Sequence, residues 1–115
     1  THLDRNAVSA QVKARLVDAL PSGPVSESAM AHSLHLSTRS LQRRLSAEQT
    51  SFRQLLDDTR RELALQFLGN SRLTISEVTY LLGFSDPSNF TRAFRRWHGT
   101  SPSGYREEQR ATGSD

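Results

Sequence analysis

The sequence predicts an all-α protein of seven helices, in which two helix-turn-helix subdomains are joined by a long linker helix. First, the spacing of apolar residues across 30–45 recurs across 78–94. Second, helix-start signals precede each amphipathic segment, and no stretch alternates apolar and polar residues as a half-buried strand does. The domain is predicted to occupy 6–110, divided into three parts: a first unit at 6–50, the linker helix at 51–69 and a second unit at 73–110.

The repeat has the same spacing in both copies, apart from one extra residue in the second turn. Met30 and Val78 lie 48 residues apart, whereas Leu41 and Phe90, which follow the turn, lie 49 apart. The second helix of each copy keeps two apolar residues four positions apart, which predicts one buried stripe and a polar outer face. These pairs are Leu41 with Leu45, and Phe90 with Phe94.

Start and stop signals set the helices of the first unit. Apolar residues four apart predict a first helix over 6–20, which Pro-Ser-Gly-Pro at 21–24 ends. Ser26 is expected to cap a second helix that continues to residue 34, and Ser37 is expected to cap the first recognition helix.

The linker helix and the helix after it are predicted to begin with reciprocal caps. Ser51 and Gln54 predict a capping box for the linker helix, and Thr74 and Glu77 predict another for the next helix. We expect Gly69, which an asparagine follows, to close the linker helix in the left-handed conformation that glycine allows.

The last two helices have equally clear boundaries. Asp86 is expected to cap the second recognition helix, with Pro87 at its first position and Gly99 just past its end. Ser101-Pro102 then starts a short final helix. We expect His98 to be partly cationic, because a helix C-terminus favours positive charge.

The charge distribution suits a nucleic-acid partner. The 115-residue chain has a net charge of +3, and Lys13 is the only lysine among its 15 Lys and Arg residues. Guanidinium groups bind phosphate and guanine bidentately, although codon usage in a GC-rich genome is an alternative explanation of the arginine excess. Segments 37–45 and 88–97 each carry three arginines and no acid. Positive charge is therefore concentrated on the two recognition helices.

The sequence lacks the residues that several classes of function require. The absence of cysteine excludes disulfides, thiolate metal sites and cysteine nucleophiles, and it fits a reducing cytosol. A Ser/His/Asp hydrolase needs a strand to hold its nucleophile. His32 and His35, with Glu27 as the nearest acid, lack the spacing for a shared metal. We therefore predict no catalytic residue, metal or cofactor, and no membrane span, because no apolar run approaches about 18 residues.

The stretch 82–97 (LGFSDPSNFTRAFRRW), with GTSP at 99–102 and Tyr105-Arg106, resembles the signature of AraC/XylS-type bacterial transcription regulators. Segments 37–45 and 51–68 fall in that family's order and spacing. The LLGF and RAFRRW motifs are most similar to the ornithine-utilisation and VirS-like subgroup. The resemblance implies a cytoplasmic, nucleoid-associated domain that binds double-stranded promoter or operator DNA and commonly activates transcription.

The resemblance also implies parts that lie outside this chain. The family carries an effector or dimerisation domain, usually N-terminal, and the chain begins without methionine, so we expect a fragment of a longer protein. The fragment is expected to be monomeric, to bind no small molecule and to have flexible ends at 1–5 and 111–115. RNA polymerase is an expected partner in the full-length context. A fusion, as in methylated-DNA repair proteins with such a domain, is an alternative setting.

Three residues of the first unit depart from the family pattern. His35 replaces a small residue in the turn, Gln49 stands where glycine is common, and Leu45 replaces a frequent phenylalanine. A left-handed histidine is tolerable, though less comfortable than glycine. We therefore expect the fold to be retained.

Base readout is expected from three residues in each recognition helix, on the side away from the apolar stripe and near the end that enters a groove. The resemblance maps the family's base-contacting positions in the first unit onto Arg39, Gln42 and Arg43. In the second unit, the expected residues are Ser88, Asn89 and Arg92, and Asp86 is mainly a cap that is also near enough to reach a cytosine amine.

Phosphate contacts are expected from the helix starts and from the remaining arginines, namely Ser37, Arg44, Thr74, Thr91, Arg95 and Arg96. The linker helix would hold the two recognition helices about 34 Å apart, one turn of B-DNA. The alternative function is a helical protein-interaction module whose basic face docks an acidic partner.

Overall fold

A computed structural model describes residues 7–112, which form seven α-helices and no strand. The helices are α1 (Val8–Ala19), α2 (Glu27–Ser33), α3 (Thr38–Ala47), α4 (Phe52–Leu68), α5 (Ile75–Leu81), α6 (Pro87–His98) and α7 (Pro102–Thr112), with a 3₁₀ turn at Leu20–Ser22. The predicted all-α fold is confirmed, with α2–α3 and α5–α6 as the two helix-turn-helix pairs. Within 7–112, no helix is long and apolar enough to cross a membrane.

Five helices begin at the side-chain caps that the sequence predicts. In each, the cap oxygen accepts a hydrogen bond of 3.0 or 3.1 Å from the backbone N–H three residues later; the caps are Ser26, Ser37, Ser51, Thr74 and Asp86. The capping box of Thr74 and Glu77 is complete. The predicted box at Ser51 is only half formed: Ser51 Oγ accepts from Gln54 N–H, and the Gln54 side-chain amide donates to Asp58 Oδ1 at 2.9 Å.

The end of α4 differs from the prediction. Gly69 is right-handed, with φ −70° and ψ −15°, so the expected left-handed closure is wrong. The carbonyl groups at this corner instead accept hydrogen bonds from the Arg106 guanidinium, which reaches from α7 to the oxygens of Leu68 at 3.2 Å and Leu73 at 2.6 Å. Because a side chain satisfies these acceptors, no left-handed residue is required there.

The outer helices also differ from the predicted bounds. Helix α1 gives way to the 3₁₀ turn one residue before Leu20, and the expected start at residue 6 lies outside the described part. No side chain of α1 itself caps its start; Glu48, at the end of α3, accepts hydrogen bonds from the backbone N–H and hydroxyl of Ser9. Helix α7 continues through 111–112, part of the end that the sequence predicted to be flexible.

The two helix-turn-helix turns have the same backbone conformation. The left-handed residue is His35 in the first, with φ 60°, and Gly83 in the second, with φ 78°. The residue that follows each donates its N–H to a carbonyl five positions earlier: Leu36 to Ala31 at 2.9 Å and Phe84 to Thr79 at 3.2 Å. Gln49 is also left-handed, with φ 64°. The first unit therefore keeps the fold without glycine at these positions.

Two hydrophobic cores lie on either side of the middle of α4. The first unites α1, the 3₁₀ turn and α2–α4 through Val12, Leu16, Leu20, Met30, Ala31, Leu41, Leu45, Phe52 and Leu55. The second unites α4–α6 through Ala64, Leu68, Val78, Leu82, Phe90 and Phe94, with Phe84 and Trp97 packed against it. The predicted stripes of both recognition helices are thus buried. Leu63 packs against both cores.

The two units meet where the second turn packs against the end of the first helix. A Cβ atom on Gly83 would lie 2.9 Å from Leu20 Cδ2 and 3.2 Å from the carbonyl oxygen of Gly23. At such distances a side chain would force the Leu20 side chain and the Gly23 carbonyl to shift. Glycine at position 83 thus permits both the left-handed turn and the close approach of the two units.

Substitution Gly83→Ala should therefore destabilise the protein more than Gly99→Ala. Both positions are left-handed, which costs an L-residue about 1–2 kcal/mol, but a Cβ on Gly99 meets no atom within 4 Å. Urea unfolding of both variants measures the difference, which isolates the packing contribution. Equal losses of stability would show that the junction yields without cost.

Candidate nucleic-acid interface

Helix α3 presents its predicted readers to solvent. Leu41 and Leu45 are fully buried, and Arg39, Gln42 and Arg43 are all exposed. The amide of Gln42 donates a long hydrogen bond of 3.4 Å to Glu27 at the start of α2. The structure thus gives α3 an exposed polar face bearing two arginines and a glutamine.

Helix α6 joins two of its predicted readers, Asn89 and Arg92, in one hydrogen-bonded chain. The Asn89 amide donates to Ser85 Oγ at 3.0 Å and to Asp86 Oδ2 at 3.2 Å, and its oxygen accepts from the Arg92 guanidinium. Ser88 and Arg92 are exposed, and Asn89 is half-buried. Asp86 therefore orients Asn89, and Asn89 in turn orients Arg92.

The residues predicted to contact phosphate lie in three kinds of structural environment. The hydroxyls of Ser37 and Thr74 are N-cap acceptors at the starts of α3 and α5. Arg44 and Arg95 are exposed and Thr91 is half-buried. Arg96 differs from them, because its guanidinium forms an ion pair of 2.7 Å with Asp57 on α4.

A groove of about 790 Å³ lies between the start of α4 and the outer face of α6. It collects the predicted residues Asn89, Arg92 and Arg96 and adds Arg53 and Asp57 from α4. The predicted readers of α3 do not line it. The structure therefore brings the α6 residues together with the first turns of the linker helix, which the sequence did not indicate.

Arg60, which lines the groove from α4, binds the second helix-turn-helix turn. Its guanidinium donates to the carbonyl oxygens of Leu82 and Gly83, both at 2.8 Å, and lies 4.2 Å from the centre of the Phe84 ring. Burial lowers the pKa of Arg60, and the nearby negative charge of Asp57 opposes this shift. The side chain remains cationic and ties α4 to the end of α5.

Sequence reasoning missed the structural arginines. Arg60 lies four residues after Leu56 and three before Leu63, so it is in phase with the apolar stripe of α4. A cation in that phase indicates a buried stem with a carbonyl or carboxylate partner. No comparable signal marks Arg106, whose carbonyl partners at 68–73 are distant in sequence.

His98 carries less positive charge than the sequence predicted, because its pKa is lowered. Burial lowers the pKa of this imidazole, and the positive charge of Arg61 lowers it further. The ring packs against Phe94 at 4.7 Å and Tyr105 at 6.2 Å between centres, and no residue that the structure describes offers its buried Nε2 a hydrogen bond. This aromatic setting outweighs the helix dipole. Within 7–112, no three acidic or histidine residues lie close enough to hold a metal.

Comparison with known proteins identifies the family. Residues 30–108, more than half of the chain, match the helix-turn-helix domain that carries the DNA-binding function of AraC-type regulators. The chain belongs to the AraC-type family of DNA-binding transcription regulators. Sequence-specific DNA binding, rather than catalysis, is the activity of this family.

Relatives of the AraC-type domain include the subgroups that its motifs resemble. The chain is 54% identical to the ornithine utilization regulator of Pseudomonas aeruginosa over 67% of its own length and 23% of the relative's. It is 40% identical to VirS of Mycobacterium tuberculosis over 76% and 26%. The chain thus spans about a quarter of these regulators.

Solved AraC-type structures share the fold. The DNA-binding domain of AdpA, solved in complex with a target DNA, is 29% identical with a TM-score of 0.80, over 93% of this chain and 96% of that one. CdpR from Pseudomonas aeruginosa is 37% identical with a TM-score of 0.78, over 89% and 32%. The two-unit architecture of the present chain is therefore that of the family.

The lowered pKa of His98 predicts acid sensitivity. Below about pH 6.5, the usual histidine pKa, the unfolded chain binds a proton that the folded chain does not. Stability should therefore fall as pH decreases through this value toward the folded pKa. Thermal unfolding between pH 5 and 7.5 measures it, with His98→Phe expected to flatten the profile and exposed His32→Gln to leave it unchanged. A profile that His98→Phe does not alter would contradict the assignment.

Proposed function

We propose that this chain reads two successive major grooves of double-stranded promoter or operator DNA, with α3 in one and α6 in the next. The observation that carries the proposal is the shared design of the two helices. Each buries one apolar stripe and carries arginine and an amide on the opposite face: exposed Gln42 on α3 and half-buried Asn89 on α6. A major groove admits a helix, and Arg, Gln and Asn recognise base edges there.

In the first groove, Arg39, Gln42 and Arg43 contact bases. All three are exposed along the first two turns of α3, the part of a recognition helix that enters the groove. An arginine donates two hydrogen bonds to guanine, and a glutamine pairs with adenine. Glu27 holds Gln42 loosely, so DNA displaces this contact with little loss.

In the second groove, Ser88, Asn89 and Arg92 contact bases. The hydrogen-bonded chain from Asp86 through Asn89 to Arg92 fixes the orientation of Asn89 and Arg92 before DNA arrives. Preorganisation of this kind reduces the entropy that binding must overcome. Asp86 mainly keeps its capping role.

Phosphate contacts surround these readers and set the register of each helix. Their sources are Ser37, Arg44, Thr74, Thr91, Arg95 and Arg96, and such contacts carry affinity without sequence information. Arg96 makes its contact only after leaving Asp57. The 115-residue chain binds DNA as a monomer and has no small-molecule effector of its own.

In its full-length context the domain activates transcription in the bacterial cytoplasm, at the nucleoid, and contacts RNA polymerase. Support for activation comes from the virulence regulon transcriptional activator VirF of Shigella flexneri, which is 37% identical over 64% of this chain and 28% of the relative. Since the chain spans about a quarter of its relatives, effector binding and dimerisation belong to further domains.

Bipartite binding predicts a specific footprint. A duplex selected from a random pool by the 115-residue chain should be protected from hydroxyl radicals over two segments about 10 base pairs apart on one face. Bending is expected if straight DNA does not match the spacing of the helices. A single protected groove would exclude simultaneous docking of α3 and α6.

Base readout predicts position-specific losses. Arg43→Ala and Arg92→Ala should each weaken binding to the selected duplex by about 1–3 kcal/mol and relax preference at one base pair. Both side chains are exposed, so the melting temperature should hardly change. Binding titrations on single-base variants of the duplex measure the preference. Equal weakening on every sequence would make the residue a phosphate contact, and unfolding of Arg92→Ala would make it structural.

A further inference from the structure

Asp57 places a carboxylate among the cations of the groove. It projects from α4 toward α6, where its Oδ1 accepts a bond of 2.7 Å from the Arg96 guanidinium and its Oδ2 accepts one of 3.1 Å from Trp97 Nε1. Arg53 and Arg92 line the same groove. Both oxygens of this single acid are therefore occupied by consecutive residues of the second recognition helix.

The two hydrogen-bond partners of Asp57 differ in mobility: the Trp97 indole is fixed, and the Arg96 guanidinium is not. Trp97 is half-buried against the second core, so its indole is fixed and its N–H keeps the carboxylate in place. The Arg96 side chain is 63% exposed, against 35% for Asp57. An ion pair with such exposure is weak and exchanges its partner readily. The carboxylate is thus held by Trp97 while the guanidinium remains free to leave.

We propose that Asp57 is an intramolecular competitor of DNA phosphate for Arg96, and so limits the affinity of this domain for DNA of any sequence. In the free protein the Asp57 carboxylate is paired with the Arg96 guanidinium. On binding, Arg96 exchanges the carboxylate for a phosphate, and the negative charge of Asp57, no longer paired with Arg96, faces the DNA backbone. This inference rests on the proposed DNA contacts of α6.

The competition has a signature in the salt dependence of binding. Each phosphate neutralised by a protein cation adds about 0.9 to the slope of log affinity against log salt concentration. The negative charge of Asp57 offsets the positive charge of Arg96. The slope of log affinity against log salt concentration should therefore be lower by about 0.9 than in a chain without this carboxylate.

Substitution Asp57→Asn tests the competition, because asparagine keeps an acceptor oxygen for Trp97 Nε1 and removes the charge. Glu62→Gln is the matched control: it makes the same change of charge on the same helix, where Glu62 pairs with Lys13 at 3.1 Å and does not line the groove. The probe is a fluorescent random-sequence duplex, titrated between 50 and 200 mM salt. Melting curves establish that the variants are folded.

We expect Asp57→Asn to bind roughly two- to fivefold more tightly at 100 mM salt and to have a slope steeper by about 0.9. Adding Arg96→Ala to it should remove most of this gain. An equal gain in Glu62→Gln would show an effect of net charge alone. Unchanged affinity in Asp57→Asn, or a gain that survives Arg96→Ala, would overturn the proposal.

Trp97 provides a second measurement that needs no change at Asp57. It is the only tryptophan of the chain, and its indole contacts the carboxylate that Arg96 would leave. Its emission should therefore shift when the duplex is added, and the shift should be smaller in Arg96→Ala under saturating DNA. Equal shifts in the two proteins would contradict the exchange. Because this test and the salt slope concern Asp57 and Arg96, their failure leaves the separate Arg43 and Arg92 tests of base readout intact.

Discussion

The structure depends on α4 serving two cores at once. Its first turns bury Phe52 and Leu55 in the core of the first unit, and its last turns bury Ala64 and Leu68 in the core of the second. A helix rises 1.5 Å per residue as a stiff rod, so each unit is fixed to a different end of one rigid element. The relative placement of the two recognition helices follows from this constraint.

Polar contacts in the middle of α4 complete that placement. Arg60 donates hydrogen bonds to the carbonyl oxygens of Leu82 and Gly83 at the end of α5, and Asp57 accepts one from Trp97 in the last turns of α6. Gly83 adds the close approach of the second turn to the end of α1. These contacts link the unit that follows α4 both to the linker helix and to the first unit, so the domain holds its two reading surfaces in one body.

The two reading surfaces differ in how firmly their side chains are held. On α6, Asn89 receives and donates hydrogen bonds that orient Arg92, whereas on α3 a single bond of 3.4 Å reaches Gln42. Ordering a long side chain on binding costs conformational entropy. If the two units bind DNA as proposed, the side chains of α6 therefore have less entropy to lose on binding, and those of α3 retain more freedom to adapt.

Local sequence determined the helices, their N-caps and the buried stripes, because caps and apolar spacing act within a few residues. The repeat likewise indicated two similar units, and the exposure of Arg39, Gln42 and Arg43 follows from the stripe of Leu41 and Leu45. Contacts between distant segments could not be deduced in this way. Arg106 replaced the expected left-handed closure at Gly69, aromatic burial overrode the helix dipole at His98, and Asp57 met Arg96 across 39 residues. Tertiary packing alone decided which arginines bind other groups of the protein.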